Sequence, residues 1–181
     1  VLVRGAVPLF TVSSVSGCAP HTISFTNVSQ HSVAYEWHFG DGTEDTSSNP
    51  VHVFNDPGSY TVSLYAFDSS GCSTIYTYPQ IITVSLSPVL SYSVDNIVGC
   101  APHTLHITDT STVADSLVWW MGDGTIISGN SPTHTYTQPG NYSITLIAFN
   151  AEGCSDTLVY ADTIIVNIQP VADFSADILE G

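Results

Sequence analysis

The chain has 181 residues, with one Lys or Arg against sixteen Asp or Glu and a formal net charge of −15. The lone cation, Arg4, cannot neutralise a phosphate backbone or an anionic bilayer, which excludes nucleic acid and lipid headgroups as partners. At 43% hydrophobic and 9% charged the composition is that of a folded chain, and no apolar run approaches the roughly 18 residues of a membrane span. The start of the chain lacks an initiator Met and a cationic leader, which reads as a mature or excised segment. Near-absence of cations also departs from the mixed-sign surfaces of ordinary soluble domains and points to an extracellular or covered setting.

In chain order, strands are predicted at 7–14, 21–27, 33–39, 50–54, 59–67 and 73–84. Thr22-Ile23-Ser24-Phe25-Thr26 and Ser59-Tyr60-Thr61-Val62-Ser63-Leu64-Tyr65 alternate polar and apolar residues, as a sheet with one buried face requires. Gly40-Asp41-Gly42, Pro57-Gly58 and Ser70-Gly71 supply turn chemistry between them. No window carries a 3.6-residue amphipathic pattern. Short strands at this spacing predict an all-β, antiparallel sandwich.

The whole pattern then recurs 82 positions later without an insertion or deletion. Gly17-Cys18-Ala19-Pro20-His21-Thr22 returns as Gly99-Cys100-Ala101-Pro102-His103-Thr104, and Gly40-Asp41-Gly42-Thr43 as Gly122-Asp123-Gly124-Thr125. Trp37 returns as Trp119, Pro57-Gly58-Ser59-Tyr60 as Pro139-Gly140-Asn141-Tyr142, and Cys72 as Cys154. The chain therefore divides into a tail strand of a preceding repeat (1–6), module 1 (7–88), module 2 (89–170) and the start of a third repeat (171–181). On this reading it is a window on a longer array.

Three motifs together carry a family resemblance: Tyr-x-Trp-x-Phe-Gly-Asp-Gly at 35–42, Pro-x-His-x-Phe at 50–54 and Pro-Gly-x-Tyr-x-Val at 57–62. With their second copies at 117–124, 132–136 and 139–144, both modules resemble PKD (polycystic-kidney-disease-type) repeats nearly end to end. His38 and Trp120 stand where that family usually has Asp, and Met121 replaces Phe39. The resemblance implies tandem immunoglobulin-like β-sandwiches of extracellular and cell-surface proteins, in adhesion or spacer roles. It also implies that His52 and His134 are framework residues that hydrogen-bond the module together. The extra cysteines resemble the versions found in large secreted bacterial surface proteins.

From the residues themselves, Trp37 and Trp119 read as core, because an indole buries 150–250 Å². Gly40, Asp41 and Gly42, with Gly122, Asp123 and Gly124, read as hairpin turns, a calcium role for the aspartates being the alternative. Cys18 and Cys72 are spaced like Cys100 and Cys154, which reads as one disulfide inside each module; reduced buried thiols are the alternative. The spacing excludes a paired-cysteine zinc site. His21 and His103 repeat, whereas His31, His38 and His106 do not and read as variable surface positions.

Asn27-Val28-Ser29 and Asn141-Tyr142-Ser143 are glycosylation sequons. No nucleophile elbow, HExxH helix or phosphate loop is present, and Glu44-Asp45 reads as a solvated turn, so no catalytic residue is assigned, no metal ligand, and no cofactor beyond that calcium alternative. The expected function is a non-enzymatic shaft or spacer in an extracellular fibre or long adhesin, touching neighbouring repeats, assembling head-to-tail and carrying glycans. The alternative is a carbohydrate-binding accessory pair of a secreted hydrolase, with Trp120 as the ligand contact, since it adjoins Trp119 and points to the other sheet face.

Overall fold

The structure, a computed structural model, describes residues 5–173. The tail strand expected at 1–6 and the third-repeat start expected at 171–181 lie largely outside the described residues. The chain forms two compact units that divide between Ser87 and Pro88, and the described residues are strands and loops without a helix.

Module 1 runs β1 (Phe10–Val12), β2 (Ser16–Cys18), β3 (His21–Asn27), β4 (Ala34–His38), β5 (Glu44–Asp45), β6 (Val51–Phe54), β7 (Gly58–Tyr60), β8 (Ser63–Phe67), β9 (Ser73–Thr77) and β10 (Ile82–Ser85). Module 2 runs β11 (Tyr92–Val94), β12 (Val98–Cys100), β13 (His103–Asp109), β14 (Ser116–Trp120), β15 (Ile126–Ser128), β16 (Thr133–Tyr136), β17 (Gly140–Phe149) and β18 (Ser155–Asn167). One layer of each module is a three-stranded antiparallel sheet, β1-β3-β6 or β11-β13-β16. In module 2 the facing layer is a single sheet, β12-β18-β17-β14-β15. In module 1 the same layer divides into β5-β4-β8-β9 and β2-β10-β7. Pro79 lies in that break, where module 2 has Ala161, and a proline has no N–H to give to a ladder.

The segment predicted as one strand at 7–14 changes sheets. Phe10 pairs antiparallel with Asn27, and then Gly17 pairs in parallel with Val84. Module 2 repeats this crossing, with Tyr92 against Asp109 and Gly99 against Val166. Each module therefore has one parallel pair within an otherwise antiparallel sandwich.

Alternation builds the core. Ile23 and Phe25 of β3 are buried between exposed Thr22, Ser24 and Thr26. They meet Phe10, Trp37, Phe39, Phe54, Leu64, Ile82 and Val84. The second core is the same set displaced by one period, with Leu105, Ile107, Trp119, Met121, Tyr136, Leu146, Ile164 and Val166. Met121 fills the site of Phe39, an apolar exchange that a core accepts.

The expected disulfides inside the modules are not formed. Cys18 ends β2 beside Ser85, the last residue of β10, whereas Cys72 precedes β9 at the far end of the same run. In module 2, Cys100 pairs with Asn167 and Cys154 precedes Ser155, and β18 spans 13 residues between those two points. That stretch bulges once and lies opposite the ten residues of β17, so at 3.3 Å per residue the separation is about 30 Å, whereas a disulfide needs Cα atoms about 4.4–6.8 Å apart. Cys72 and Cys100 are free and exposed, and Cys18 and Cys154 are disulfide-bonded. The pairing inside a module fails because equal spacing in sequence fixes no direction in the sheet.

Trp37 and Trp119 are each 0% exposed at the centre of their cores. Replacing either by Ala should remove about 3–5 kcal/mol of module stability, read as a lower denaturant midpoint, with Trp120→Ala as an exposed control.

Candidate functional site

The Gly-Asp-Gly turn, the histidine strand and the segment after the Pro-Gly turn meet in each module. After Trp37 the chain leaves β4 through Gly40 (φ 87°) and Gly42 (φ 90°), and after Trp119 through Gly122 (φ 85°) and Gly124 (φ 95°). The two glycines of each turn differ in kind. A Cβ on Gly40 would lie 2.6 Å from the Thr61 carbonyl oxygen, and one on Gly122 equally close to Ser143 O, whereas Gly42 and Gly124 face open space.

Between those glycines, Asp41 Oδ1 accepts the Thr43 amide at 3.0 Å and the Thr43 hydroxyl at 2.6 Å. His52 Nε2–H donates to Asp41 Oδ2 at 2.7 Å, tying the turn to β6. A carboxylate only accepts, so this bond places the imidazole proton on Nε2. In module 2, Asp123 accepts the Thr125 amide at 2.9 Å and the His134 ring N–H at 2.8 Å. The His52 ring stacks on Phe39 at 4.1 Å and meets Phe54 edge-on. Burial pushes the Asp41 carboxyl upward, but the bonds from Thr43 and His52 outweigh it and hold the group below the usual carboxylate range. The same balance, led by burial against the Thr125 and His134 bonds, lowers Asp123.

Two further hydrogen bonds complete the frame. Trp37 Nε1–H donates to Ser47 O at 2.9 Å, and Trp119 Nε1–H to Gly129 O at 2.8 Å, again one period apart. The Tyr60 hydroxyl donates to Asp56 O at 2.7 Å and the Tyr142 hydroxyl to Gln138 O at 2.9 Å. Each ring thus folds back over the Pro-Gly turn that precedes it, and a Cβ on Gly58 would stand 3.1 Å from the Tyr60 ring. Gly17 and Gly99 serve a similar purpose, because a Cβ there would fall on the ring of His21 or His103. Those rings bond Ser14 Oγ at 2.8 Å and Asn96 O at 2.7 Å.

Side chains that do not repeat lie on the sheet faces. His38 stands between Glu36 at 3.3 Å and Glu44 at 3.1 Å, with Tyr65 against its ring. One ligand atom from each of Glu36, His38 and Glu44 lies within 4.8 Å of the others. One imidazole with two carboxylates suits a borderline divalent cation better than calcium, which takes six to eight oxygens. Sequence reasoning missed this cluster because Glu44 reaches His38 only through the β4–β5 pairing; the i, i+2 spacing of Glu36 and His38 was its visible half. At the equivalent positions module 2 has Val118, Trp120 and Ile126. Trp120 is 51% exposed and borders a groove of about 370 Å³ with Gly122, Gly124, Thr125, Ile126, Ser143 and Thr145.

The two sequons differ in access. Asn27 Nδ2, the atom that would carry a glycan, is buried, and Asn27 Oδ1 accepts the Ser29 amide at 2.9 Å. Asp109, its counterpart, accepts the Ser111 amide at 3.0 Å, so that position closes an Asx turn. Asn141 is exposed on β17.

Sequence comparison meets this geometry. A profile described as a PKD domain matches residues 11–84 and 93–166. The chain belongs to the PKD-domain family. Collagenase ColA of Bacillus cereus is 51% identical over 39 residues, which is 22% of this chain and 4% of that protein. Pre-pro-metalloprotease PrtV of Vibrio cholerae is 27% identical over 130 residues, 70% of this chain and 14% of that protein. The chain thus matches only a small part of these relatives' length. Among solved structures, the PKD1 domain of Vibrio anguillarum Epp is 26% identical, covers 45% of this chain and 98% of its own, and has a TM-score of 0.39. A C-terminal fragment of intimin in complex with an intimin-binding domain of its receptor shares the fold at 11% identity, with a TM-score of 0.50 over 85% of this chain and 63% of the fragment.

Two outcomes follow from the PKD turn. Gly40→Ala should destabilise module 1 more than Gly42→Ala in chemical denaturation, because both carry the positive-φ strain of about 1 kcal/mol and only the first also strikes backbone. The lowered Asp41 carboxyl adds stability that is complete above the ordinary carboxylate value near about 3.9 and disappears as pH falls through the folded-state value. Asp41→Asn should therefore flatten the acid limb of a stability–pH curve below about pH 4, without steepening it at neutral pH.

Proposed function

We propose that this PKD pair is a non-catalytic structural segment of an extracellular protein, serving as a spacer or shaft within a fibre or long surface adhesin. One observation carries the reading: the repeated Trp, Asp, His and Tyr side chains of the shared motifs are spent on holding their own module. The Trp37 and Trp119 indoles, the Asp41–His52 and Asp123–His134 pairs and the Tyr60 and Tyr142 hydroxyls all end on partners within the sandwich. What recurs is scaffold, and what varies is surface. Relatives named as collagenases and a pre-pro-metalloprotease, together with a disulfide, support a setting outside the cell. The linker Ser85-Leu86-Ser87-Pro88 is short and proline-stiffened, which favours a semi-rigid connection to neighbouring repeats and head-to-tail growth. Glycans would attach at exposed Asn141.

A second reading has its own observation in the exposed Trp120 ring. An aromatic face beside a shallow groove suits a sugar ring, and the role would be that of an accessory PKD module beside a hydrolase domain. Retention of the chain on insoluble cellulose, chitin and collagen separates the two. A spacer passes through with no difference between wild type and Trp120→Ala. Retention that Trp120→Ala abolishes establishes the accessory role and overturns the spacer.

A further inference from the structure

We propose that Glu36, His38 and Glu44 of module 1 form a binding site for a divalent ion of the zinc type, a clamp on the β4–β5 hairpin that module 2 lacks. The site follows from register. Glu36 and His38 stand two apart on β4 and share its outward face, while Tyr35 and Trp37 take the core side. Glu44 of β5 pairs directly with His38, which sets their Cβ atoms about 4.5–5.5 Å apart. Three ligand-bearing side chains therefore meet on one face of a hairpin. Its turn is already fixed by the bonds from Thr43 and His52 to Asp41.

The charges at this point call for a cation. Glu36 Oε1 lies 3.3 Å from His38 Nε2, and Glu44 Oε1 lies 3.1 Å from His38 Nδ1, so each ring nitrogen faces a carboxylate. One ligand atom from each of the three residues lies within 4.8 Å of the others, which brings the two carboxylates close to one another as well. Like charges at that range repel, and residues 5–87 contain no Lys or Arg to offset them. Ion pairs on side chains as open as these, 37% for His38, 40% for Glu36 and 58% for Glu44, add little stability by themselves. A divalent ion turns the repulsion into attraction. It takes one ring nitrogen in place of a proton, which leaves to solvent, and water fills its remaining positions at this open face.

The donor set selects the class of ion. Imidazole with two carboxylates suits zinc and its neighbours, whereas calcium wants six to eight oxygens. The Tyr65 ring meets the His38 imidazole edge-on at 5.1 Å and limits its rotation. β5 has only two residues, so an ion joining Glu44 to Glu36 and His38 adds a tie where the ladder is shortest. The tie acts on the core, because the Trp37 indole bonds Ser47 O just beyond β5. Val118, Trp120 and Ile126 at the equivalent positions of module 2 offer no ligand, and the inference stands whether the pair is a spacer or an accessory module.

The test is isothermal titration of zinc chloride into the chelator-stripped chain at physiological ionic strength, with Cys72 and Cys100 alkylated so that thiolates do not compete. The expected result is one zinc per chain, with affinity falling at least tenfold in His38→Ala and in the shape-preserving Glu44→Gln, and unchanged in His106→Ala. Zinc should also raise the denaturant midpoint of the wild type and leave that of Glu44→Gln in place. No heat up to about millimolar zinc, or equal affinity in wild type and His38→Ala, overturns the proposal. Two zincs per chain that survive His38→Ala assign the ion to the repeated Asp41–His52 and Asp123–His134 pairs and overturn it too. Displacement of zinc by an equal concentration of calcium overturns the assignment of ion class.

Discussion

An indole buried at the middle of a β-sandwich must find an acceptor for its N–H, and that requirement organises each module. Trp37 and Trp119 occupy the centre of their cores at 0% exposure, where an unmade hydrogen bond costs about 1–3 kcal/mol. The acceptor is a backbone carbonyl ten residues later, Ser47 O or Gly129 O, so the chain after the tryptophan must turn sharply and return. Gly40 and Gly42 make the turn, Asp41 closes it on Thr43, and His52 anchors it to β6. The Trp, Gly-Asp-Gly and His motifs are thus consequences of burying one amphipathic ring.

The two modules show what this frame leaves free. Where module 1 carries Glu36, His38 and Glu44, module 2 carries Val118, Trp120 and Ile126 on the equivalent sheet face. One face is ionic and the other aromatic over the same backbone register. Such divergence costs the core nothing, since β4 and β14 alternate inward and outward, with Tyr35 and Trp37, Leu117 and Trp119 on the core side. Surface chemistry can vary from copy to copy while the period of 82 residues stays intact.

Much of the fold was legible in the residues. Ile23 and Phe25 alternate with polar neighbours, and the strand predicted at 21–27 coincides with β3 (His21–Asn27). The first strand reads as continuous, because an apolar pattern at 7–14 carries no mark of the point where the chain switches its pairing from β3 to β10. β5 and β15 were missed because two or three residues are too short for a periodicity. The Glu36–His38–Glu44 cluster escaped for a related reason: half of it belongs to a cross-strand pairing. Asn27 looked like a sequon, but its amide nitrogen is buried by the turn it closes.

By itself the sequence determined the repeat, the all-β class, the tryptophan cores and the glycine turns. Each depends on a residue's own size or backbone freedom, or on neighbours within a few positions. Only the tertiary structure decided the fate of the cysteines. The composition and spacing of Cys18, Cys72, Cys100 and Cys154 are symmetrical between modules, and nothing local separates a bond within a module from one outside it. The deciding quantity is the length of β18, 13 residues between the ends that carry Cys154 and Cys100. Its pairing with the ten residues of β17 holds those ends about 30 Å apart, and no thiol can cross that distance.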